Sequence, residues 1–268
     1  MGVLSDRLWR TAALSTMMSR TMATLSSIDA QLLQIVSNAA PATVAEVAAV
    51  MESIDAILPS GDGLKWFNRL YLMVTQQVDA QPPAGGWKDA DWLTRLDVVF
   101  AGFYFSAIAD GLSGSAKGGS AKTANAWDAL FEARNRAGID RIQFALAGMN
   151  AHINHDLALA LLQTDEDLGL TPGMDSPEHD DYESVNGLLE KVLPAALTFL
   201  ANGVLGELAQ DTGKVGRLLA IWDVSAARDL AWGFADHLRN LTGMDREIAL
   251  DALDQLAGVI GRSLLMPI

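Results

Sequence analysis

Residues 148–162 read GMNAHINHDLALALL, which sets His152, His155 and Asp156, with Asn150 and Asn154, into an otherwise apolar stretch. A buried imidazole or carboxylate must be hydrogen-bonded, ion-paired or metal-bound, because leaving it unpaired costs several kcal/mol. Three chemistries suit these residue types. A histidine beside a carboxylate in a dry pocket can move protons near neutrality. His152 and Asp156, four residues apart on a helix, can also reach one ion, with His179 of EHDDYESVN as a third ligand. The same groups can instead form a hydrogen-bonded polar core that fixes helix packing.

The stretch reads as a helix. At 100° per residue, His152, His155 and Asp156 fall within one arc of about 100°, together with Gly148 and Leu159. Leu146, Ile153, Leu157 and Leu161 lie opposite, with Asn150 and Asn154 beside them. Apolar residues on nearly every side mark a buried helix. Gly148 leaves room for another backbone or a ligand to approach. The His155-Asp156 adjacency is similar to that of HD-type phosphohydrolases, which need a separate upstream histidine and a downstream aspartate on other helices. His152-x-x-x-Asp156 is similar to a pattern of the trinuclear-zinc nucleases and phospholipases, which use more histidines than the four present here.

The elements that must position these groups are helical throughout. Apolar Val44, Val47, Met51, Ile54 and Leu58 recur at helical spacing before Pro59 and Gly61. LKWFNRLYLMVTQQVDAQ forms the next helix, and DADWLTRLDVVFAGFYFSAIADGL a buried one closing at Gly111. GLSGSAKGGSAK, residues 111–122, reads as a loop within one domain, and 165–181 as an acidic, turn-rich connection. Helices resume over 124–136 and 139–163, then from about 182 to 208, 212 to 241 and 245 to 265. The fold class is all-α: one multi-helix globular domain over 41–268, with a buried central helix carrying the polar cluster. Residues 1–40 form an amphipathic helical extension.

Composition narrows the function. Against 19 basic residues stand 33 acidic ones, a net charge of −14, which disfavours nucleic acid and anionic membranes as partners. The absence of cysteine excludes disulfides, thiolate zinc sites and cysteine nucleophiles, and fits a cytoplasmic setting. No run of about 18 uninterrupted apolar residues predicts a membrane span. No G-x-S-x-G, P-loop or dinucleotide-binding glycine pattern is present.

Further candidates line up around the polar helix. Arg69 is placed to pair with Asp97, as a buried interhelical salt bridge or as part of a ligand clamp. Tyr71, Tyr104, Trp222 and Trp232 are available as pocket walls, although tryptophan stripes are more often core. Asn150 and Glu132 complete the candidate substrate contacts. The expectation is an enzyme acting on a small, largely apolar organic molecule, without a cofactor, by acid–base chemistry from His152, His155 and Asp156; a cyclisation or isomerisation would suit it. Two alternatives stay open: a hydrolase dependent on a divalent metal ion held by His152, Asp156 and His179, and a non-catalytic small-molecule-binding protein.

DGLKWFNRLYLMVT, RLDVVFAGFYF, WDALFEAR, IQFALAGMNAHINHDLALAL, HDDYESVN and IWDVSAARDLAW occur in that order. They resemble the actinobacterial family catalogued as domain of unknown function 5995, over roughly residues 43–235. The resemblance implies a single helical domain and an actinobacterial source, and carries no established activity. It leaves the N-terminal 40 residues and the last 25 outside, where family-variable helices covering the core are expected.

Overall fold

A computed structural model describes residues 26–116, 124–202 and 223–267. The described residues form helices and connecting turns, without strands. Their order is α1 (Ser27–Asn38), α2 (Val44–Ile57), α3 (Gly63–Ala80), α4 (Ala90–Ala116), α5 (Asn125–Ala133) and α6 (Arg141–Ala151). A π-helical turn (His152–Asp156) joins α6 to α7 (Leu157–Leu168). Then follow α8 (Pro177–Asn202), α9 (Val224–Arg239) and α10 (Gly243–Leu264).

Most helix starts are set by short polar side chains that accept the orphan amides of a first turn. Ser26 Oγ accepts from Asp29 N, Thr43 Oγ1 from Glu46 N, Asp62 Oδ1 from Leu64 N, and Asp223 Oδ1 from Ala226 N. Glu46 returns the favour by accepting from Ala42 N at 2.7 Å. At the other end of the π-interrupted rod, α7 stops at Gly169, whose φ of 67° is left-handed.

Two sequence boundaries shift. Gly111 does not end its helix: α4 runs on to Ala116, and a Cβ at Gly111 would lie 2.8 Å from the Phe131 ring of α5. The glycine serves helix–helix packing. The acidic segment 165–181 is partly helical as well, because α8 opens at Pro177 in the first-turn position that tolerates proline. Of the expected extension over residues 1–40, residues 1–25 lie outside the described residues, as do residues 203–222, while its remainder forms α1, packed on α2 and α4.

The rod from α6 through α7 packs against α3, α4, α9 and α10, and α3 also packs on α2 and α8. Residues 142–151 of α6 are all buried. Two polar staples hold the surroundings. The Arg134 guanidinium joins Asp62 at the start of α3 to Asp29 of α1. Gln143 donates to the Leu264 and Met266 carbonyls, anchoring the end of α10. By length and composition, residues 90–113 of α4 could cross a membrane, yet half of that window is buried inside the protein.

Gly148 of α6 admits the Phe67 ring rather than a backbone or ligand. A Cβ there would sit 2.3 Å from Phe67 Cγ, well inside contact distance. Phe67 is fully enclosed, 4.9 Å from the Tyr104 ring and 5.4 Å from that of Trp127, so it has no room to retreat. Gly148→Ala should therefore destabilise the fold by about 1–3 kcal/mol through overpacking. Urea unfolding checks this, and an unchanged midpoint would contradict the packing.

Candidate functional site

Within GMNAHINHDLALALL the helix changes form at His152–Asp156. The Leu157 amide hydrogen-bonds the His152 carbonyl, five residues back, while the His152 amide is shared between the Gly148 and Met149 carbonyls. Such π-turns appear mostly as single interruptions, frequently at functional sites. The widening has a geometric consequence. A uniform α-helix puts His152 between His155 and Asp156 in angle. A turn holding more than four residues advances each by less than about 90°, so Asp156 swings to the angle between the two histidines.

The Asp156 carboxylate takes that position and is satisfied on both oxygens. Oδ2 accepts from Trp127 Nε1 at 2.9 Å and lies 2.9 Å from His152 Nδ1; Oδ1 lies 2.7 Å from His155 Nδ1. Behind His155, Asp254 of α10 brings an oxygen to 3.9 Å from Nε2, and is itself held by Asn125 and the Ala126 amide.

Burial and hydrogen bonding assign the charges. Burial would raise the Asp156 pKa, but the hydrogen bonds from His152 and His155 outweigh it and hold the carboxyl below its usual range. Burial would lower His155, yet the bond to Asp156 and the charges of Asp156 and Asp254 raise it above an ordinary imidazole. For His152 burial wins, and its pKa is lowered. The shifts favour the charged form at His155 and at Asp156 and the neutral ring at His152. An ionised carboxylate only accepts, so the single ring proton of His152 sits on Nδ1. Nε2 then carries a bare lone pair, and it has no hydrogen-bond partner among the described residues.

The His152 ring lies within an aromatic shell. Phe100 stacks on it at 3.5 Å between centroids and 6° between planes, and the Tyr71 ring is 4.6 Å away. His152 also lines a cavity of about 90 Å³, walled by α2, α3, α4, α6, the π-turn, α7, α8 and α9. Apolar side chains dominate its lining; Tyr71, Thr75, Asp97, His152 and Arg228 supply the polar groups. Burial, with a smaller contribution from Asp79, pushes the Asp97 carboxyl up to about 7 against the pull of Arg228. Burial and the charges of Asp97 and Asp156 raise Tyr71, so its hydroxyl keeps its proton. A mostly apolar cavity with a few convergent polar groups and shifted pKa values is the usual form of a small-molecule site.

Of the residues singled out from sequence, Tyr71, Asp97 and His152 line this cavity, and His155 and Asp156 stand behind His152. The others serve elsewhere. Arg69 pairs with Asp55 at 2.8 Å rather than with Asp97, because α2 brings that carboxylate to its side of α3. Asn150 donates to the Ala257 carbonyl and accepts from Asn154, tying α6 to α10. The Tyr104 hydroxyl donates to Asn68, which in turn donates to the Met51 carbonyl. Glu132 pairs with Arg262 at the surface. Trp232 packs against His179, Tyr182 and Trp92. Trp222 lies outside the described residues.

The metal-ligand set is not assembled. His179 sits among Tyr182, Trp232 and Glu183, whereas Asp156 is engaged by the two histidines and Trp127. Among the described residues, no group of three or more His, Asp and Glu side chains is placed to hold an ion. Sequence reasoning passed over Trp127, Phe100, Asp254 and Arg228. Trp127, Phe100 and Arg228 stand in the stretches WDALFEAR, RLDVVFAGFYF and IWDVSAARDLAW.

The chain matches the family of unknown function DUF5995 over residues 44–267. It belongs to that family. The match runs on past residue 235 through α10, so the helix bringing Asp254 to His155 is part of the family's domain rather than a variable addition. No curated protein and no solved structure matches the chain.

Proposed function

We propose that this chain is an enzyme acting on a small, largely apolar organic molecule by acid–base chemistry, of the kind that drives an isomerisation or cyclisation. One observation carries the reading: a buried histidine, oriented by a buried carboxylate, lines an apolar cavity, and its Nε2 has no partner among the described residues. Leaving such an acceptor unsatisfied costs about 1–3 kcal/mol, which a substrate proton donor would recover. His152 Nε2 takes a proton from the bound molecule, and Asp156 stabilises the resulting imidazolium and holds its tautomer. His155 is a positioning residue that keeps Asp156 ionised. Asp97, with a pKa of about 7 at the same cavity, is the group able to return a proton. With this reading go a small-molecule partner, no resident metal or cofactor, and a cytoplasmic setting.

The first test is nitrogen-15 NMR of the histidines. His152 should show the Nδ1-protonated tautomer and titrate below 6.5, the ordinary imidazole value; an Nε2-protonated ring would refute the assignment. The second is proton exchange in heavy water on apolar carbonyl compounds, where His152→Gln should slow exchange by about 10²–10⁴-fold. The apolar lining equally suits a non-catalytic binding protein. That reading predicts bound ligand with no exchange above background, in wild type and variant alike.

A further inference from the structure

The cavity contains a cation without a committed anion. Arg228 of α9 lines it and is only 7% exposed. Its Nε donates to Asn186 Oδ1 at 2.5 Å and its Nη2 to the Tyr182 carbonyl at 2.8 Å, both from α8. Its guanidinium carbon stands 4.0 Å over the Tyr182 ring. Two hydrogen bonds and a stacked face fix the plane of the group, and Nη1 remains uncommitted among the described residues. No carboxylate of the described residues is in ion-pair range of it. A buried guanidinium in apolar surroundings is costly unless an anion meets it.

The through-space candidate within the cavity is Asp97, and it is a poor counter-ion. Asp97 faces Arg228 from α9, Tyr71 and Asp79 from α3, and shares the lining with His152 of the π-turn. Even under the pull of Arg228 its carboxyl holds its proton up to about 7. Near neutrality a good part of the protein therefore presents a protonated Asp97 and a bare guanidinium to the same apolar space.

We propose that the molecule bound here is an apolar carboxylic acid, its carboxylate on the free edge of Arg228 and its hydrocarbon body against the aliphatic and aromatic lining beside His152. The proposal rests on the reading of this cavity as a substrate site and names the substrate class. Arg228 presents a fixed planar donor edge, the geometry that suits a carboxylate. One guanidinium among so much hydrocarbon matches a singly charged head on an apolar body better than a sugar or a nucleotide. Affinity then depends on pH. Ionisation of Asp97 sets a second carboxylate against the first for the same cation, so binding of the acid weakens as pH rises through about 7, while that of a neutral analogue does not.

The test uses 3-phenylpropanoate and octanoate, each against its own amide, by calorimetry on the full chain at about one pH unit below and above the Asp97 midpoint. At the lower pH at least one acid should bind about ten-fold or more tighter than its amide. That advantage should shrink several-fold at the higher pH and disappear in Arg228→Gln with the amide unaffected. Equal affinity for acid and amide in the wild type overturns the proposal, as does failure of both acids to bind at millimolar concentration. The wild-type comparison stands even if Arg228→Gln does not fold. Retained acid preference in His152→Gln, with proton exchange absent throughout, would leave this inference standing while the catalytic reading fell.

Discussion

Asp156→Ala should lower the unfolding free energy by about 3–5 kcal/mol, the range for removing one partner of a buried charge pair. Three donors lose their acceptor at once: Trp127 Nε1, His152 Nδ1 and His155 Nδ1. Two of them cannot turn to water, since Trp127 and His152 are each at most 2% exposed, whereas the His155 side chain is 12% exposed. His155 keeps Asp254, 3.9 Å from its Nε2, as its carboxylate neighbour among the described residues. Denaturant unfolding measures the loss, and the histidine spectra identify its source. Without Asp156, His155 should titrate lower than in the wild type, and His152 should lose its fixed Nδ1-protonated tautomer. Asp156→Asn preserves the shape but offers one acceptor and one donor in place of two acceptors, so it should fall between wild type and alanine. A wild-type midpoint in Asp156→Ala would show that the carboxylate does not hold the cluster together.

The pH dependence of this cluster has two signs. The Asp156 pKa is lowered on folding, so its stabilisation is present above the unfolded value near 4 and is lost as pH falls through the folded one. The His155 pKa is raised, so its stabilisation is full below about 6.5 and is lost as pH rises through the folded value. His152 is lowered and acts against acid: below about 6.5 the unfolded ring gains a proton that the buried one resists.

The all-α class was legible because apolar periodicity and capping residues are local signals, as Thr43 with Glu46 and Asp62 before α3 illustrate. The polar cluster was legible too, since His and Asp are conspicuous inside a buried helix. Its internal geometry was not. A π-turn adds a residue to a helix without a propensity signature, and a constant 100° advance therefore placed His152, not Asp156, in the middle. Gly111 misled for the related reason that a glycine kept for packing against Phe131 looks the same as a glycine that ends a helix. Arg69 and Arg228 show the limit set by long-range pairing. Both are arginines on helices that carry apolar faces, yet one meets Asp55 at a half-buried surface and the other, at the cavity wall, meets neutral acceptors among the described residues. Which carboxylate a cation finds depends on how α2, α3, α8 and α9 are stacked, and the sequence leaves that stacking unstated.

Asp97→Asn should stabilise the protein at pH 8 by about 4 kcal/mol, unusual for removal of a charged side chain. The Asp97 pKa rises from 3.8 when unfolded to about 7 in the cavity, and a shift of that size corresponds to about 4 kcal/mol. Between those two values the folded protein holds a proton that the unfolded chain has released, so stability falls as pH rises across the interval. Asparagine cannot ionise. The variant should match the wild type below about pH 4, gain progressively to about 7, and keep a constant advantage beyond. Thermal melts at a series of pH values would trace the curve; a difference that does not grow with pH would mean that Asp97 ionises as freely as an exposed carboxylate. A residue that destabilises the fold at neutral pH while lining an apolar cavity is what a stability–activity trade-off looks like. The same substitution should therefore make binding of an apolar acid at Arg228 independent of pH, and should abolish any step in which Asp97 returns a proton taken up by His152.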